Sequence, residues 1–242
     1  MTRSADEDSR HYPRRMLRTG TIALATLLLA AGCSGGAPPN AQEQSKEPSK
    51  SQEPKYAALT KAQAKKSLLE LSDMPTGFSQ DRSGQKGSEV TYKSGDPACK
   101  DFVDGVYGGR DAKVDVRRLF MEDVLGPVVH SSIAVREESD AKARMDKVAA
   151  SLNACERFID GEDNSKMKVS PVSFPKLGEQ SVAYRLAGSS PDFDYTLTLV
   201  SVRLGGNTVH VGDGGLSGGV GAKKFERLAR TAVARAESAA RN

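Results

Sequence analysis

The three cysteines of this 242-residue chain constrain its fold more than any other residues do. Cys33 directly follows an apolar segment near the N-terminus, whereas Cys99 and Cys155 lie far apart in the remaining sequence. If the protein is exported and Cys33 does not pair with another cysteine, the simplest use of Cys99 and Cys155 is one disulfide. Closing a loop of about 55 residues stabilises a domain by on the order of 4 kcal/mol in the chain-entropy model. The alternative, metal ligation by the pair, lacks the four-ligand spacing that zinc requires.

The N-terminal segment has the composition of a secretion signal. Its apolar run, Thr21 to Ala31, is shorter than the roughly 20 residues that span a bilayer, so we expect a signal core rather than a stable anchor. Arg14 and Arg15 resemble the start of a twin-arginine signal, and Sec export is equally compatible with the segment. The apolar run is preceded by several arginines: Arg3, Arg10, Arg14, Arg15 and Arg18.

The residues directly before Cys33 resemble a bacterial lipobox. The apolar run ends Leu-Leu-Ala-Ala-Gly-Cys at residues 28–33, with small residues next to the cysteine. The resemblance implies cleavage after Gly32 and thioether lipidation of Cys33, which would hold the protein on the extracytoplasmic face of the cell membrane. Ala30 stands where a lipobox usually has leucine. The alternative is an ordinary cleavage site beside a chance cysteine.

We expect three segments: a lipoprotein signal peptide at 1–32, a lipidated N-terminus with a disordered linker at 33–56, and one domain at 57–242. From Ser34 to Tyr56 the sequence is rich in Pro, Gln, Glu, Ser and Lys and has no large aliphatic residue, so this stretch cannot bury a core. As a flexible chain it reaches roughly 25–30 Å. The remaining sequence is long enough for a single domain with a real core.

The charge balance argues against nucleic acid as a partner. The chain has 35 basic and 31 acidic residues, and removing residues 1–32 takes away five arginines and three acids, which leaves 30 basic against 28 acidic. Nucleic-acid binding depends on a dense basic face that neutralises phosphates. With nearly equal numbers of basic and acidic residues, the mature chain has too little net positive charge for such a face.

Hydrophobic periodicity predicts an α+β fold, a largely antiparallel sheet flanked by helices with one disulfide. Strand pairs joined by short turns do not alternate regularly with helices. The first helix begins with a capping box formed by Thr60 and Gln63, and the last has an apolar stripe that includes Phe225 and Leu228. Helices are expected from Thr60 through Leu71, after Pro97, from Ser139 to Cys155, and over 222–240. Strands are expected over 114–123, 128–137, 168–174, 181–186, 195–204 and 208–211.

Ser217 is a candidate nucleophile by motif alone. Gly215-Leu216-Ser217-Gly218-Gly219 matches the nucleophile-elbow pattern between a predicted strand and a predicted helix. That fold places an acid and then a histidine after the serine, and no Asp or His follows Ser217 in the sequence. A glycine-rich loop over 212–221 makes a chance match easy. We therefore predict no catalytic residue here and no enzyme activity.

No metal or cofactor site is predicted. His130 and His210 are expected on polar strand faces as surface imidazoles, and no His-x-His or His-x-x-x-His spacing occurs. The acidic stretch Asp160–Asn164 has its glycine at the wrong position for a calcium loop and is expected to be a helix-to-strand turn. The glycine-rich loop is expected to be a flexible connection, with a mobile lid or an anion-binding nest feeding the last helix as alternatives.

The domain resembles the extracytoplasmic sensor domain of PknH-type receptor kinases and its lipoprotein relatives in actinobacteria. The resemblance runs over most of residues 57–242, although that family typically carries two internal disulfides and this chain can make only one. It implies an antiparallel sheet flanked by helices, with a cleft for an unidentified ligand, and carries over no functional residue beyond the cysteines. It rests on the order of these features: Asp73 to Phe78 after a helix, Cys99, a hairpin, Ala154 to Phe158, Leu177 to Glu179, and a Gly-rich stretch before a final helix.

These observations predict a membrane-anchored, non-catalytic ligand-binding or sensor-like module of the cell envelope. Its partners are expected to be the membrane, through the lipid on Cys33, and an unidentified small molecule or envelope protein. The first alternative is a scaffold that binds an envelope protein, which predicts an apolar exposed patch and no deep pocket. The second is a hydrolase.

Cys33→Ala tests the lipidation prediction. In cells fed a palmitate analogue, we expect the wild-type chain to be labelled and the Cys33→Ala chain not to be, because the thioether forms on this sulfur. Labelling that persists in the variant, or is absent from the wild type, would contradict the assignment of Cys33.

Overall fold

The computed structural model describes residues 55–81, 92–93, 96–107, 111–123, 125–161, 164–191, 193–216 and 218–241. In these residues nine antiparallel strands form one sheet, and four helices flank it. The predicted α+β class is confirmed. The predicted signal peptide, Cys33 and the linker to residue 54 lie outside the described residues. No helix within the described residues is long and apolar enough to cross a membrane.

The elements follow one another with short connections. A 3-10 turn, Leu71–Asp73, follows the first helix. The sheet order is β1-β3-β4-β9-β8-β7-β6-β5-β2. In chain order the elements are α1 (Lys61–Ser67), β1 (Ser79–Asp81), β2 (Tyr92–Lys93), α2 (Pro97–Tyr107), β3 (Val114–Met121), β4 (Val128–Val135), α3 (Glu138–Leu152), β5 (Arg157–Asp160), β6 (Lys166–Pro171), β7 (Gln180–Ser189), β8 (Asp194–Leu204), β9 (Asn207–Gly215) and α4 (Ala222–Arg241).

Several local predictions need correction. The capping box at Thr60 and Gln63 is present, but α1 ends at Ser67. Leu68 and Leu69 enter the core beyond the helix, whereas Leu71 begins the 3-10 turn and is exposed. Helix α3 ends before Cys155. The acidic stretch from Asp160 connects strands β5 and β6, so it is a strand-to-strand turn rather than a helix-to-strand turn.

One face of the sheet is covered by α1 and α4. Alternate residues of the central strands, such as Val209 and Val211 of β9, point into this layer and meet Phe225 and Leu228 of α4. Arg235 of α4 forms a two-pronged ion pair with Asp73, at 2.7 and 2.9 Å, and so joins the last helix to the segment after α1. This layer is the larger core of the domain.

The other face is covered by α2 and α3, but only across part of its width. Helix α3 packs mainly on β7 and β8, with fewer contacts to β6 and β9. Gly105 of α2 permits close approach of the two helices, because a Cβ there would lie 2.5 Å from a methyl of Val148. A disulfide joins Cys99 of α2 to Cys155 just beyond α3, and both sulfurs are buried. The predicted pairing is confirmed.

The first described residues are tied to the sheet by a buried asparagine. The Asn207 amide donates to the carbonyls of Ala57 and Leu204, and its oxygen accepts from the Leu59 amide, each at 2.9 Å. The Ala57 amide also donates to the carbonyl of Ala240 in α4 at 2.8 Å. The start of the domain is therefore fixed at the β8–β9 turn.

Removing the disulfide is expected to destabilise the fold. In a Cys33→Ala background, Cys99→Ser with Cys155→Ser should lower the free energy of unfolding by about 4 kcal/mol, because the cross-link closes a loop of 56 residues in the unfolded chain. Urea denaturation followed by circular dichroism measures this. Dithiothreitol should shift the parent midpoint and leave the double variant unchanged; an unshifted parent would contradict the disulfide.

Candidate functional site

A cleft of about 380 Å³ lies on the sheet face that α2 and α3 cover incompletely. Its floor is the part of this face formed by β3, β4, β9 and β8. Its wall includes Val106 of α2 and Met145 and Val148 of α3. A volume of this size falls within the range of small-molecule sites. The cleft exists because the two disulfide-linked helices stop short of the strands at one side of the sheet.

The strand register arranges the floor in cross-strand rows. Because side chains alternate between faces, every second residue of each strand enters the cleft. One row is Arg117, Ser132, His210 and Ser201, which lie directly opposite one another on β3, β4, β9 and β8. The next row toward the β3–β4 turn is Leu119, His130, Gly212 and Leu199. The row on the other side begins with Asp115, Ala134 and Thr208.

Three arginines line one end of the cleft. Arg117 pairs with Asp115 at 2.8 Å. Arg144 of α3 holds Asp111 with two hydrogen bonds of 2.9 and 2.8 Å, and Arg136 contacts the same carboxylate at 3.4 Å. Arg136 is 7% exposed, and its burial together with the nearby Arg144 charge lowers its pKa, although Asp111 opposes this. This end of the cleft is cationic.

Two neutral imidazoles lie in the middle of the floor. Burial and the Arg117 charge lower the pKa of His130 to about 4, and burial with neighbouring positive groups lowers the pKa of His210 to about 3. The Nδ1 atom of His210 lies 2.8 Å from the Ser201 hydroxyl. At neutral pH both rings are uncharged, so each offers one donor and one acceptor.

Gly212 keeps the floor open between His130 and Leu199. A Cβ at this position would lie 3.4 Å from the His130 Nδ1 and 3.6 Å from the Leu199 side chain. Its backbone is not in the left-handed region, so a larger residue would fill the cleft without straining the strand. The predicted glycine-rich loop is thus partly strand, since β9 continues to Gly215.

The rest of the glycine-rich segment is organised by a carboxylate of the protein itself. Asp213 lies on the opposite face from His210 and accepts the Val220 amide at 2.9 and 3.2 Å. Burial raises the Asp213 pKa, although this hydrogen bond opposes it. Gly219 packs so closely that a Cβ there would overlap the Asp213 carboxylate. An anion nest would compete with Asp213, so this segment is better described as a loop that docks before α4.

The candidate residues named from the sequence fall in different places. Ser217 and Cys33 lie outside the described residues. His130 and His210, expected as surface imidazoles, are instead half-buried together on the cleft floor, because β4 and β9 pair with the two residues on one face. Among the described residues, no group of three or more His, Cys, Asp or Glu is placed to hold a metal ion.

Sequence reasoning did not identify Arg117, Arg136, Ser132 or Ser201 as site residues. Their signal was weak: a polar residue at every second position of a strand looks like an ordinary solvated face. Only the register between β3, β4, β9 and β8 places them side by side.

Acid is expected to destabilise the domain through the two histidines. Each has a folded-state pKa below its usual value of about 6.5, so the unfolded chain binds more protons below pH 6.5. The contribution of the two neutral histidines to the free energy of unfolding is therefore complete above pH 6.5. It decreases as the pH falls toward 4, by about 1.4 kcal/mol per pH unit for each histidine. Carboxylates with lowered pKa values, such as Asp111, lose their contribution only at lower pH.

Urea denaturation at pH 7, 6, 5 and 4.5 measures that slope. His130→Gln and His210→Gln should each remove about half of it, since either change deletes one titrating ring. A slope equal in the parent and both variants would show that the histidines do not titrate as the structure indicates.

Comparison with known proteins supports the fold alone. No protein-family model and no curated protein matches the chain significantly. Among solved structures, the extracellular domain of PknH from Mycobacterium tuberculosis is similar, with a TM-score of 0.54 over 76% of this chain and 99% of that chain. The two sequences are 13% identical. The chain therefore shares the fold of that extracellular domain.

Proposed function

We propose that this protein is a lipid-anchored module of the cell envelope that binds a small molecule in the cleft and does not catalyse a reaction. The observation that carries the proposal is the cleft itself, whose floor holds a row of polar side chains from four strands. Ser132, Ser201 and Thr208 are each largely buried yet face this space. Polar groups grouped on the floor of a mostly apolar cleft are typical of a ligand site.

The chemistry of the Ser201–His210 pair favours binding over catalysis. A general base works best when its pKa lies near the operating pH, and the pKa of His210 is about 3. The His210 imidazole is therefore too weak a base to remove the proton of the Ser201 hydroxyl and make that oxygen a nucleophile. The pair is suited to hydrogen bonding with a bound molecule.

The proposed location rests on three supports. The buried Cys99–Cys155 disulfide is typical of an oxidising compartment outside the cytoplasm. The similar solved structure is itself an extracellular domain. The lipobox-like residues before Cys33 then supply the anchor. The linker that follows, which ends before the buried Tyr56, would hold the domain away from the membrane surface.

The scaffold alternative is less well supported. It predicts a sheet face without a deep pocket, whereas the described residues contain the cleft. Leu125 and Leu216 are exposed neighbours at one end of the sheet, but scattered exposed leucines are common on protein surfaces.

Gly212 variants test the binding site. We expect native mass spectrometry of the wild-type protein, purified from its own envelope, to detect a co-purified small molecule. Gly212→Val should lose it, because the added methyl groups enter the cleft between His130 and Leu199. Gly212→Ala is the matched control and should keep most of the adduct, since its Cβ makes tight but tolerable contacts of 3.4 and 3.6 Å.

Both variants should keep the parental circular dichroism spectrum, because valine and alanine fit a strand backbone of this conformation. No adduct on the wild type, or an adduct unaffected by Gly212→Val, would overturn the proposed binding site.

A further inference from the structure

We infer that the cleft takes a single-chain amphiphile with an anionic head group, aligned along the strands with its head among the arginines and its chain over the leucines. The inference rests on the proposed function and specifies the class of ligand. The head-group chemistry is that of a carboxylate or a phosphate monoester.

The floor changes from charged to apolar along the strand direction. Asp115 and Thr208 share the first row, Arg117 and Ser132 the second, His130 and Gly212 the third. The fourth row runs from Met121 and Val128 to Leu197, which pairs with the same Gly214 as Val128. Four rows in antiparallel strands extend over about 20 Å, so the gradient is as long as an extended hydrocarbon chain with its head group.

The charged end favours an anion. Arg117, Arg136 and Arg144 all line the cleft there. Asp115 pairs with Arg117, and Asp111 contacts both Arg136 and Arg144. Three guanidinium groups therefore lie together on one end of the cleft lining. Guanidinium groups bind carboxylates and phosphates with paired hydrogen bonds, and such bonds are stronger when the site is shielded from water.

The middle and far rows favour an uncharged chain. Leu119 and Leu199 lie in the third row, and Val128 and Leu197 lie in the fourth. Met145 and Val148 of α3 add apolar surface to the wall of the cleft. The histidines between the two ends are neutral at pH 7, because burial and the arginines lower their pKa. Each neutral ring can donate a hydrogen bond to the head group of the ligand without placing a charge beside its hydrocarbon chain.

Isothermal titration calorimetry with matched amphiphiles tests the sign of the charge. The full chain carrying Cys33→Ala is titrated with dodecanoate, dodecyl phosphate and dodecyltrimethylammonium, each below its micelle concentration. We expect at least one of the two anions to bind ten or more times more tightly than the cation. Across octanoate, decanoate and dodecanoate, the affinity should rise about two- to fourfold per added methylene, as for hydrocarbon entering an apolar site.

Two substitutions on β3 separate anion binding from a structural effect. Arg117→Met removes one cation and should weaken the better anion about five- to tenfold. Asp115→Asn breaks the same Arg117–Asp115 ion pair but releases the guanidinium, and should strengthen that anion severalfold. A merely structural role for the ion pair would move both affinities in the same direction, which would overturn the assignment of the head-group site.

Gly212→Val distinguishes the ligand class from the binding site. If the cation binds as tightly as the anions and Gly212→Val abolishes both, the anionic class is wrong while the cleft remains a binding site. If no probe binds and the native protein carries no adduct, the proposed function fails as well. Anion binding that survives Gly212→Val would place the anion outside the cleft and overturn the inference.

Discussion

Strand β9 lies between β4 and β8 at the middle of the sheet, and its pairing on both sides fixes the position of nearly every other functional element. Because side chains alternate along a strand, this register sends Val209 and Val211 to the face under α4 and His210 to the opposite face. A shift of one residue would exchange the two faces. The large apolar core under α1 and α4 therefore also determines which polar residues reach the cleft.

The cleft exists because the two faces are covered unequally. Helix α4 lies against the central strands, whereas α2 and α3 are drawn together by a disulfide and by contact at Gly105, on the side of β6, β7 and β8. The central strands are then covered by α4 on one face and only in part by α3 on the other. A sheet whose register is fixed by the apolar core on one face can carry polar groups on the other face without losing that register.

Much of the fold follows from the sequence, and most of the site does not. The hairpin of β3 and β4, the long strands β7 and β8, the capping box at Thr60 and the last helix all have clear periodicity or capping residues. The edge strands β1 and β2 and the four-residue β5 are too short to show alternation. The end of β9 is missed for another reason, because its run of glycines is typical of a loop. Gly214 nevertheless belongs to the strand, since a Cβ at this position would overlap the Thr196 carbonyl.

The site depends on pairings between residues far apart in the chain. His130 and His210 are 80 positions apart, and each has the local pattern of a solvated strand face. Nothing in either segment indicates that β4 pairs with β9 rather than with another strand. The lowered pKa of each ring is therefore a property of the assembled sheet, and only Cys99 and Cys155 could be paired in advance, because the number of cysteines restricts the choice.

The hydrogen bonds of Asn207 give the domain a defined mechanical attachment. Tension along the segment that precedes Tyr56 would reach the folded domain through Ala57 and Leu59. Their hydrogen bonds lead to Asn207, the first residue of β9, and to Ala240 of α4 rather than to an edge strand. The load would act along a strand that is paired on both sides, with β4 and with β8, so several ladder hydrogen bonds share it. A domain held in this way can be pulled by its leading segment while the geometry of the sheet behind it stays unchanged.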